Sequence, residues 1–258
     1  MIDSHCHLDH VDLTPYQNNF NQLLDAIDAA GVKRMLCVCI KLSEFENLQA
    51  LVKPHRQIDL SLGQHPLDDE PLDLTQFQSL ASSANIVAIG ETGLDYYYGE
   101  AAQHQRQREN FKQHLILANS LSLPIIIHTR DAQADTLSLI KTYLPEKKGV
   151  LHCFSEDWPM AKAALEMGFY ISFSGIITFK NAESLREVVK QVPLERILIE
   201  TDSPYLAPVP YRGKKNEPTY LPAIAAMVAE LKQCSLERII ETSSENYYRL
   251  FSAAARSL

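Results

Sequence analysis

The order of structural elements is clearest in the stretch VAIGETGLDYYYGEAAQHQRQRENFKQHLILANSLSLPIIIHT, residues 87–129. It begins with the apolar run VAIGE (87–91) and ends with a second apolar run, PIIIHT (124–129), and both have the length of a buried strand. Between them, in residues 104–122, apolar side chains recur three or four positions apart opposite a polar face, which predicts an amphipathic helix. A strand, a helix and a strand in this order predict a βαβ unit with parallel strands.

The same alternation continues along the whole chain and predicts eight strands. They are MIDSHCH (1–7), RMLCVCI (34–40), IDLSLG (58–63), VAIGE (87–91), PIIIHT (124–129), GVLHCF (149–154), FYISFSG (169–175) and RILIET (196–201). Eight such units in about 250 residues favour a single (β/α)₈ barrel, a TIM barrel spanning residues 1–258. A doubly wound open sheet is the alternative, but it more often has fewer strands or a second domain. The final segment, 235–251, is predicted to be a pair of short helices that close the barrel.

Composition limits the class of protein. No run of about 18 apolar residues occurs, and no basic region followed by an apolar run stands at the N-terminus, so we expect neither a membrane span nor a secretory signal. The five cysteines are odd in number and form no CxxC pair, which favours reduced thiols and a cytoplasmic location. The formal net charge of −8 argues against a broad basic surface for duplex nucleic acid.

Metal-competent side chains stand at or just after the ends of five predicted strands. They are His5, His7, Glu91, His128, His152 and Asp202. Because the carboxyl ends of barrel strands surround one opening, we expect these side chains to converge there. Four imidazoles and two carboxylates exceed the three protein ligands of a simple catalytic zinc site and predict two divalent ions bridged by one carboxylate. Taken singly, such a histidine is more often a satisfied polar residue, and such a carboxylate a helix cap.

The identity of the ions stays open at this point. Mixed imidazole and carboxylate ligands accept Zn²⁺, Mn²⁺, Fe²⁺ or Co²⁺. Mg²⁺ supports phosphoryl chemistry, but it prefers oxygen ligands and fits four histidines less well.

Six ordered motifs resemble one known family. They are DSHCHLD (3–9), GQHP (63–66), GETGLDYYY (90–98), IIIHTRDA (125–132), LHCFS (151–155) and ETDSPYLAP (200–208). Together they resemble the TatD family of metal-dependent deoxyribonucleases, within the amidohydrolase superfamily, and the run TDSPYLAPVP (201–210) is most similar to the bacterial YcfH-type branch. The resemblance covers residues 2 to about 250.

The resemblance implies an arrangement of the ligands. The first ion would be held by His5, His7, Glu91 and Asp202, and the second by Glu91, His128 and His152. Glu91 would then bridge the two ions at the position where many related amidohydrolases have a carboxylated lysine.

Other residues are candidates for binding substrate. His65 ends the third strand and resembles a family position near the scissile group, which suggests a phosphate donor or a neighbour of the ligands; the alternative is a histidine that stabilises the turn before Pro66. Arg130 and Arg212 are candidates for flanking phosphates, against simple surface solvation. The tyrosines at 96–98 either stack on unpaired bases or pack a loop.

The resemblance, together with this centre, implies the expected activity. Asp202 is the candidate general base and Glu91 the catalytic bridge of a 3′→5′ exonuclease that acts on single-stranded DNA or DNA ends. The alternative is a carbonyl substrate, either a small-molecule amide or an aminoacyl-tRNA ester, because the same activated water can attack it. A third candidate is a metal-stabilised interaction scaffold that has lost catalysis, and the intact set of six ligands argues against it. We expect a monomer that binds nucleic acid transiently and does not bind a membrane.

Overall fold

Eight parallel strands follow one another in the order β1 to β8 in a nearly closed barrel. The computed structural model describes residues 1–98 and 100–254, so the last four residues of the predicted domain lie outside it. The strands are β1 Ile2–Cys6, β2 Arg34–Cys37, β3 Ile58–Leu62, β4 Ala88–Asp95, β5 Ile125–Arg130, β6 Gly149–Leu151, β7 Tyr170–Phe173 and β8 Ile197–Ile199. The (β/α)₈ prediction is confirmed, although β4 runs four residues beyond its predicted end at Glu91.

Helices alternate with the strands around the outside of the barrel. They are α1 Phe20–Ala29, α2 Phe45–Val52, α3 Leu74–Ser83, α4 Ala101–Leu121, α5 Gln133–Thr142, α6 Trp158–Glu166, α7 Glu183–Gln191, α8 Leu221–Lys232 and α9 Leu236–Leu250. Within residues 1–98 and 100–254, none of the helices combines the length and apolarity needed to span a bilayer.

The prediction of two short helices in segment 235–251 is wrong, because α9 is continuous. The polar residues in its middle do not interrupt it. The Ser243 and Ser244 hydroxyls donate to the Ile240 carbonyl, one turn earlier in the same helix. Its buried residues, including Ile239 and Tyr247, recur at helical spacing, and their packing stabilises the whole segment.

The ends of β1 and β8 are joined by backbone hydrogen bonds just beyond the strands. The His7 N–H donates to the Ser203 carbonyl and the Asp202 N–H donates to the His5 carbonyl, both at 2.9 Å. These bonds fix the first and last strand ends against each other. They therefore bring His5, His7 and Asp202 together although nearly the whole chain separates them.

A buried polar cluster, which we call the floor cluster, lies near the amino ends of the strands. The Arg34 guanidinium donates to both carboxylate oxygens of Asp59, at 2.6 and 2.8 Å. The Tyr247 hydroxyl on α9 donates to the same carboxylate at 2.6 Å. Around it, Leu250 and Phe251 pack against apolar strand residues. The floor cluster thus holds α9 beneath the barrel, opposite the metal-competent side chains.

Replacing Arg34 with Ala is expected to lower the free energy of unfolding by about 3–5 kcal/mol, because the Asp59 carboxylate would remain buried without its cation. Urea unfolding followed by circular dichroism measures the change. Lys33→Ala is the matched control, since it removes an ion pair to Asp28 that is exposed and is expected to cost no more than about 1 kcal/mol. Equal losses in the two variants would contradict the role given to the floor cluster.

Candidate metal centre

A cavity of about 690 Å³ opens where the strands end. Five of the predicted ligands line it, namely His7, Glu91, His128, His152 and Asp202. The sixth, His5, is fully buried, and its Nε2 lies 3.3 Å from Nε2 of His7. The structure therefore brings all six side chains to one opening, as the sequence predicted.

Glu91 occupies the middle of this group because β4 runs very close to its neighbours. A Cβ atom on Gly90 would lie 2.6 Å from the Ile126 carbonyl oxygen of β5, so only glycine permits this approach. The Glu91 N–H donates to the Cys39 carbonyl at 3.0 Å. The position of the carboxylate is thus set by backbone on both sides.

The two carboxylate oxygens of Glu91 face different pairs of histidines. Oε2 lies 3.3 Å from Nε2 of His5 and 3.8 Å from Nε2 of His7. Oε1 lies 3.1 Å from Nδ1 of His128 and 2.7 Å from Nε2 of His152. One oxygen for each pair would allow this carboxylate to bridge two ions, and the bridging role itself stays a prediction.

Asp202 adds a carboxylate to the first pair. Its Oδ1 lies 3.5 Å from Nε2 of His7 and 3.7 Å from Nε2 of His5. Burial acts to raise the pKa of Asp202, but the hydrogen bond from His7 and the charges of nearby histidines outweigh it and hold the pKa below its usual value. Asp202 is therefore ionised at neutral pH and available as a ligand or proton acceptor.

The hydrogen bonds of the histidines indicate which ring nitrogens are free for a metal. Nδ1 of His7 lies 3.0 Å from the Val38 carbonyl, which only accepts, so the Nδ1 proton is donated there. Nε2 faces Glu91 and Asp202, and it either donates a proton to Asp202 or presents its lone pair to a bound ion. An Nε2 atom that faces carboxylate oxygens in a buried site needs a positive charge between them, and a divalent ion would take the place of the proton. The donor set thus fits a divalent ion.

In the second pair the outer ring nitrogens face carboxylates, through a hydrogen bond at His128 and an ion-pair contact at His152. Nε2 of His128 lies 3.0 Å from Oδ2 of Asp95, and Nδ1 of His152 lies 3.3 Å from Oε1 of Glu200. The opposite nitrogen of each ring faces Glu91. The sequence prediction did not include Asp95 or Glu200.

His65 also reaches this cavity, but its hydrogen bonds differ from those of the six. Its Nδ1 accepts the Leu67 N–H at 3.1 Å, so the ring proton is on Nε2, which lies 3.5 Å from Oε1 of Glu91. Burial lowers the pKa of His65 to about 4, and the ring is neutral at pH 7. The GQHP turn is stabilised by His114, a buried residue of α4 whose Nε2 accepts the Gln64 N–H. The sequence prediction did not include His114. His65 therefore presents a donor, consistent with its predicted contact to substrate.

The rim of the cavity carries one of the two predicted arginines. Arg130 lines the cavity. Its guanidinium lies 3.7 Å from the centre of the Tyr97 ring and 5.3 Å from the centre of the Tyr98 ring, both within the range of a cation–π contact. Tyr96 instead donates its hydroxyl to Asp135 at 2.6 Å and packs the loop. Of the three tyrosines, only Tyr98 lines the cavity.

Arg212 points elsewhere. Its guanidinium lies 3.8 Å from the centre of the Phe179 ring and donates to the Ala207 carbonyl, and it is not among the described residues that line the cavity. The proline-rich loop after β8 reaches the cavity through Tyr205 and Leu206 instead. This loop therefore forms part of the rim, whereas contact between Arg212 and substrate stays a prediction.

Comparison with known proteins agrees with this geometry. The sequence profile of the family described as TatD related DNase matches residues 2–252. Escherichia coli K12 YcfH, named an uncharacterized metal-dependent hydrolase, is 43% identical over 100% of this chain and 98% of its own length. Bacillus subtilis YabD, named in the same way, is 36% identical over 97% of this chain and 98% of its own. The crystal structure of the E. coli TatD homologue YjjV superposes with a TM-score of 0.90 at 28% identity and covers 98% of both chains.

Proposed function

This chain belongs to the TatD family of metal-dependent hydrolases, and we propose that it is a two-ion phosphodiesterase that removes nucleotides from the 3′ end of single-stranded DNA or of frayed DNA ends. The observation that carries the proposal is that the two carboxylate oxygens of Glu91 face two separate pairs of histidines in one cavity. With Zn²⁺, Mn²⁺, Fe²⁺ or Co²⁺ bound, such a centre lowers the pKa of a water molecule and neutralises charge on a phosphate.

The chain's own residues have distinct tasks in this proposal. Asp202, ionised and close to both His5 and His7, takes the proton of the attacking water on its carboxylate. His65 donates its Nε2 proton as a hydrogen bond to a phosphate oxygen. Arg130, fixed by stacking on Tyr97, contacts the neighbouring phosphate.

Single strands fit this site better than duplex. A net charge of −8 repels a long polyanion except where cations are concentrated, and Arg130 is the arginine that lines the cavity. A cavity of about 690 Å³ admits an unpaired end, whereas a duplex about 20 Å across would remain outside it.

One observation supports a second candidate function. Ile40, Leu67 and Ile176 give the cavity an apolar wall beside the polar centre. Such a wall suits a small-molecule amide or the ester of an aminoacyl-tRNA, whose carbonyl carbon the same water would attack. Contacts beyond the six central side chains would then select the substrate.

The remaining parts of the proposal concern assembly and location. All six candidate ligands come from one chain, so the site is complete in a monomer. The five cysteines are free thiols, which supports the reducing conditions of the cytoplasm.

We expect Mn²⁺-loaded protein to degrade labelled single-stranded DNA from its 3′ end at least about ten times faster than blunt duplex, because only an unpaired end enters the cavity. EDTA is expected to abolish turnover, and added salt to raise KM with a shallow slope, since few phosphates are contacted. Gel analysis of 3′-labelled and 5′-labelled strands, with kcat/KM for each substrate, measures both polarity and preference.

Equal rates on single strands and blunt duplex would reject the preference for unpaired ends, and activity that survives thorough chelation would reject a metal-dependent phosphodiesterase. The same metal-loaded protein is assayed in parallel with aminoacyl-tRNA and small amides. A kcat/KM for one of these above that for DNA would favour the carbonyl candidate.

A further inference from the structure

The two pairs of histidines differ in the carboxylates that surround them. The first pair, His5 and His7, faces a carboxylate of its own, Asp202, in addition to its share of Glu91. The second pair, His128 and His152, faces only the shared carboxylate, Oε1 of Glu91, among the six candidate ligands. An ion held by the second pair therefore has less negative charge among its direct ligands.

Two further carboxylates lie on the far side of the imidazole rings of the second pair. Asp95 stands behind His128 and Glu200 behind His152, with ring nitrogen to oxygen distances of 3.0 and 3.3 Å. Both carboxylates are buried, with 2% and 0% of their residue surface exposed. In the first pair, Nδ1 of His7 meets the Val38 carbonyl instead. Among the described residues, the carboxylates within 4.0 Å of a ring nitrogen of His5 or His7 are those of Glu91 and Asp202, whereas Glu200 comes only within 4.8 Å of His5.

Both carboxylates are also rigidly held. Asp95 Oδ1 accepts the N–H groups of Tyr97 and Tyr98, at 3.1 and 3.3 Å. The backbone of Asp95 exchanges two hydrogen bonds with the Gln107 side chain, at 2.8 and 2.9 Å. Glu200 Oε1 accepts the Cys153 N–H at 2.6 Å. A fixed acceptor orients the imidazole that donates to it and raises the basicity of the opposite nitrogen, as Asp95 does for His128. Glu200 contacts Nδ1 of His152 at 3.3 Å without a hydrogen bond and acts on that ring through its charge.

We propose that Asp95 and Glu200 are positioning residues for the second ion, which supply through His128 and His152 the negative charge that this ion lacks among its direct ligands. The inference rests on the proposed two-ion function and adds an asymmetry to it. The affinity for the ion beside His128 and His152 then depends on two carboxylates that do not contact that ion. The affinity for the ion beside His5 and His7 is independent of these two carboxylates.

Asp95→Asn and Glu200→Gln test this inference, because each keeps the shape and one acceptor oxygen while removing the charge. Mn²⁺ alone is the probe, titrated into metal-free protein by calorimetry and by electron paramagnetic resonance of free Mn²⁺. In each variant one binding step is expected to weaken by about 10- to 100-fold, while the other step stays within about threefold of wild type.

Glu156→Gln is the matched control. Its carboxylate lies at the same end of the barrel, but it accepts from the Asp131 N–H and from Gln133 and faces none of the six candidate ligands. Both Mn²⁺ steps are expected to match wild type in this variant. Circular dichroism of the metal-free forms checks folding, and the two variants test the proposal independently of each other.

Anomalous scattering from crystals soaked in intermediate Mn²⁺ identifies the weakened position. The proposal requires loss of the peak beside His128 and His152 and retention of the peak beside His5 and His7. Equal weakening of both steps, no weakening, or loss of the other peak would overturn it. A wild-type protein that binds one ion would overturn the two-ion function as well, whereas two ions in wild type with unchanged variants would overturn this inference alone.

Discussion

Glu91→Gln is expected to reduce bound metal from two equivalents to one or fewer and to lower turnover at least about 10³-fold, equivalent to about 4 kcal/mol of transition-state stabilisation. The reason is the position of this side chain. Its two oxygens are shared between His5 and His7 on one side and His128 and His152 on the other. An amide has one oxygen, and its NH₂ group cannot bind a cation, so one pair loses its shared ligand.

Elemental analysis after gel filtration measures the metal, and single-turnover kinetics measures the rate. Glu156→Gln again provides the control, since the same change of side chain away from the centre is expected to leave both values within about twofold of wild type. Two full metal equivalents retained in Glu91→Gln would show that Glu91 does not bridge.

Asp202→Asn is expected to lower kcat by about 10²-fold or more while the fold and most of the bound metal remain. The substitution changes little volume and keeps one oxygen near His5 and His7, but it removes the proton acceptor. Measurement of kcat and KM at saturating Mn²⁺ separates this effect from metal loss, because added metal restores occupancy without restoring a base.

Asp68→Asn is the control for Asp202→Asn. Asp68 is buried and lines the same cavity, but its oxygens accept from Gln64 and from the Glu70 N–H, and it forms no ion pair with any of the six candidate ligands. Its substitution is expected to change kcat less than about threefold. If excess Mn²⁺ returned Asp202→Asn to the wild-type rate, Asp202 would be a ligand only and the general base would have to be another group.

Sequence reasoning was most successful where one physical rule sufficed. Apolar runs alternating with helical periodicity predicted the eight strands, because a parallel barrel buries both faces of each strand. The gathering of residues such as His5 and Asp202 followed from the same rule, since all strands of a parallel barrel end on one side.

Details that depend on pairing or packing between distant segments were missed. The predicted fourth strand stopped at Glu91, because Thr92 and Gly93 interrupt the apolar run. The observed strand continues because it pairs with β5, with Gly93 opposite His128 and Asp95 opposite Arg130. The same extension places Asp95 behind His128, and alternation from Glu91 through Gly93 to Asp95 is the signal that could have identified it.

The sequence by itself determined the barrel, the edge on which the chemistry lies and the six side chains gathered there, because strand periodicity and strand direction are local properties of the chain. Only the tertiary structure decided which oxygen of Glu91 faces which pair of histidines and that Glu200 stands behind His152. It also decided that the Arg212 guanidinium packs on the Phe179 ring and does not line the cavity. These are contacts between side chains remote in sequence, and their geometry is set by packing in three dimensions, which no spacing along the chain encodes.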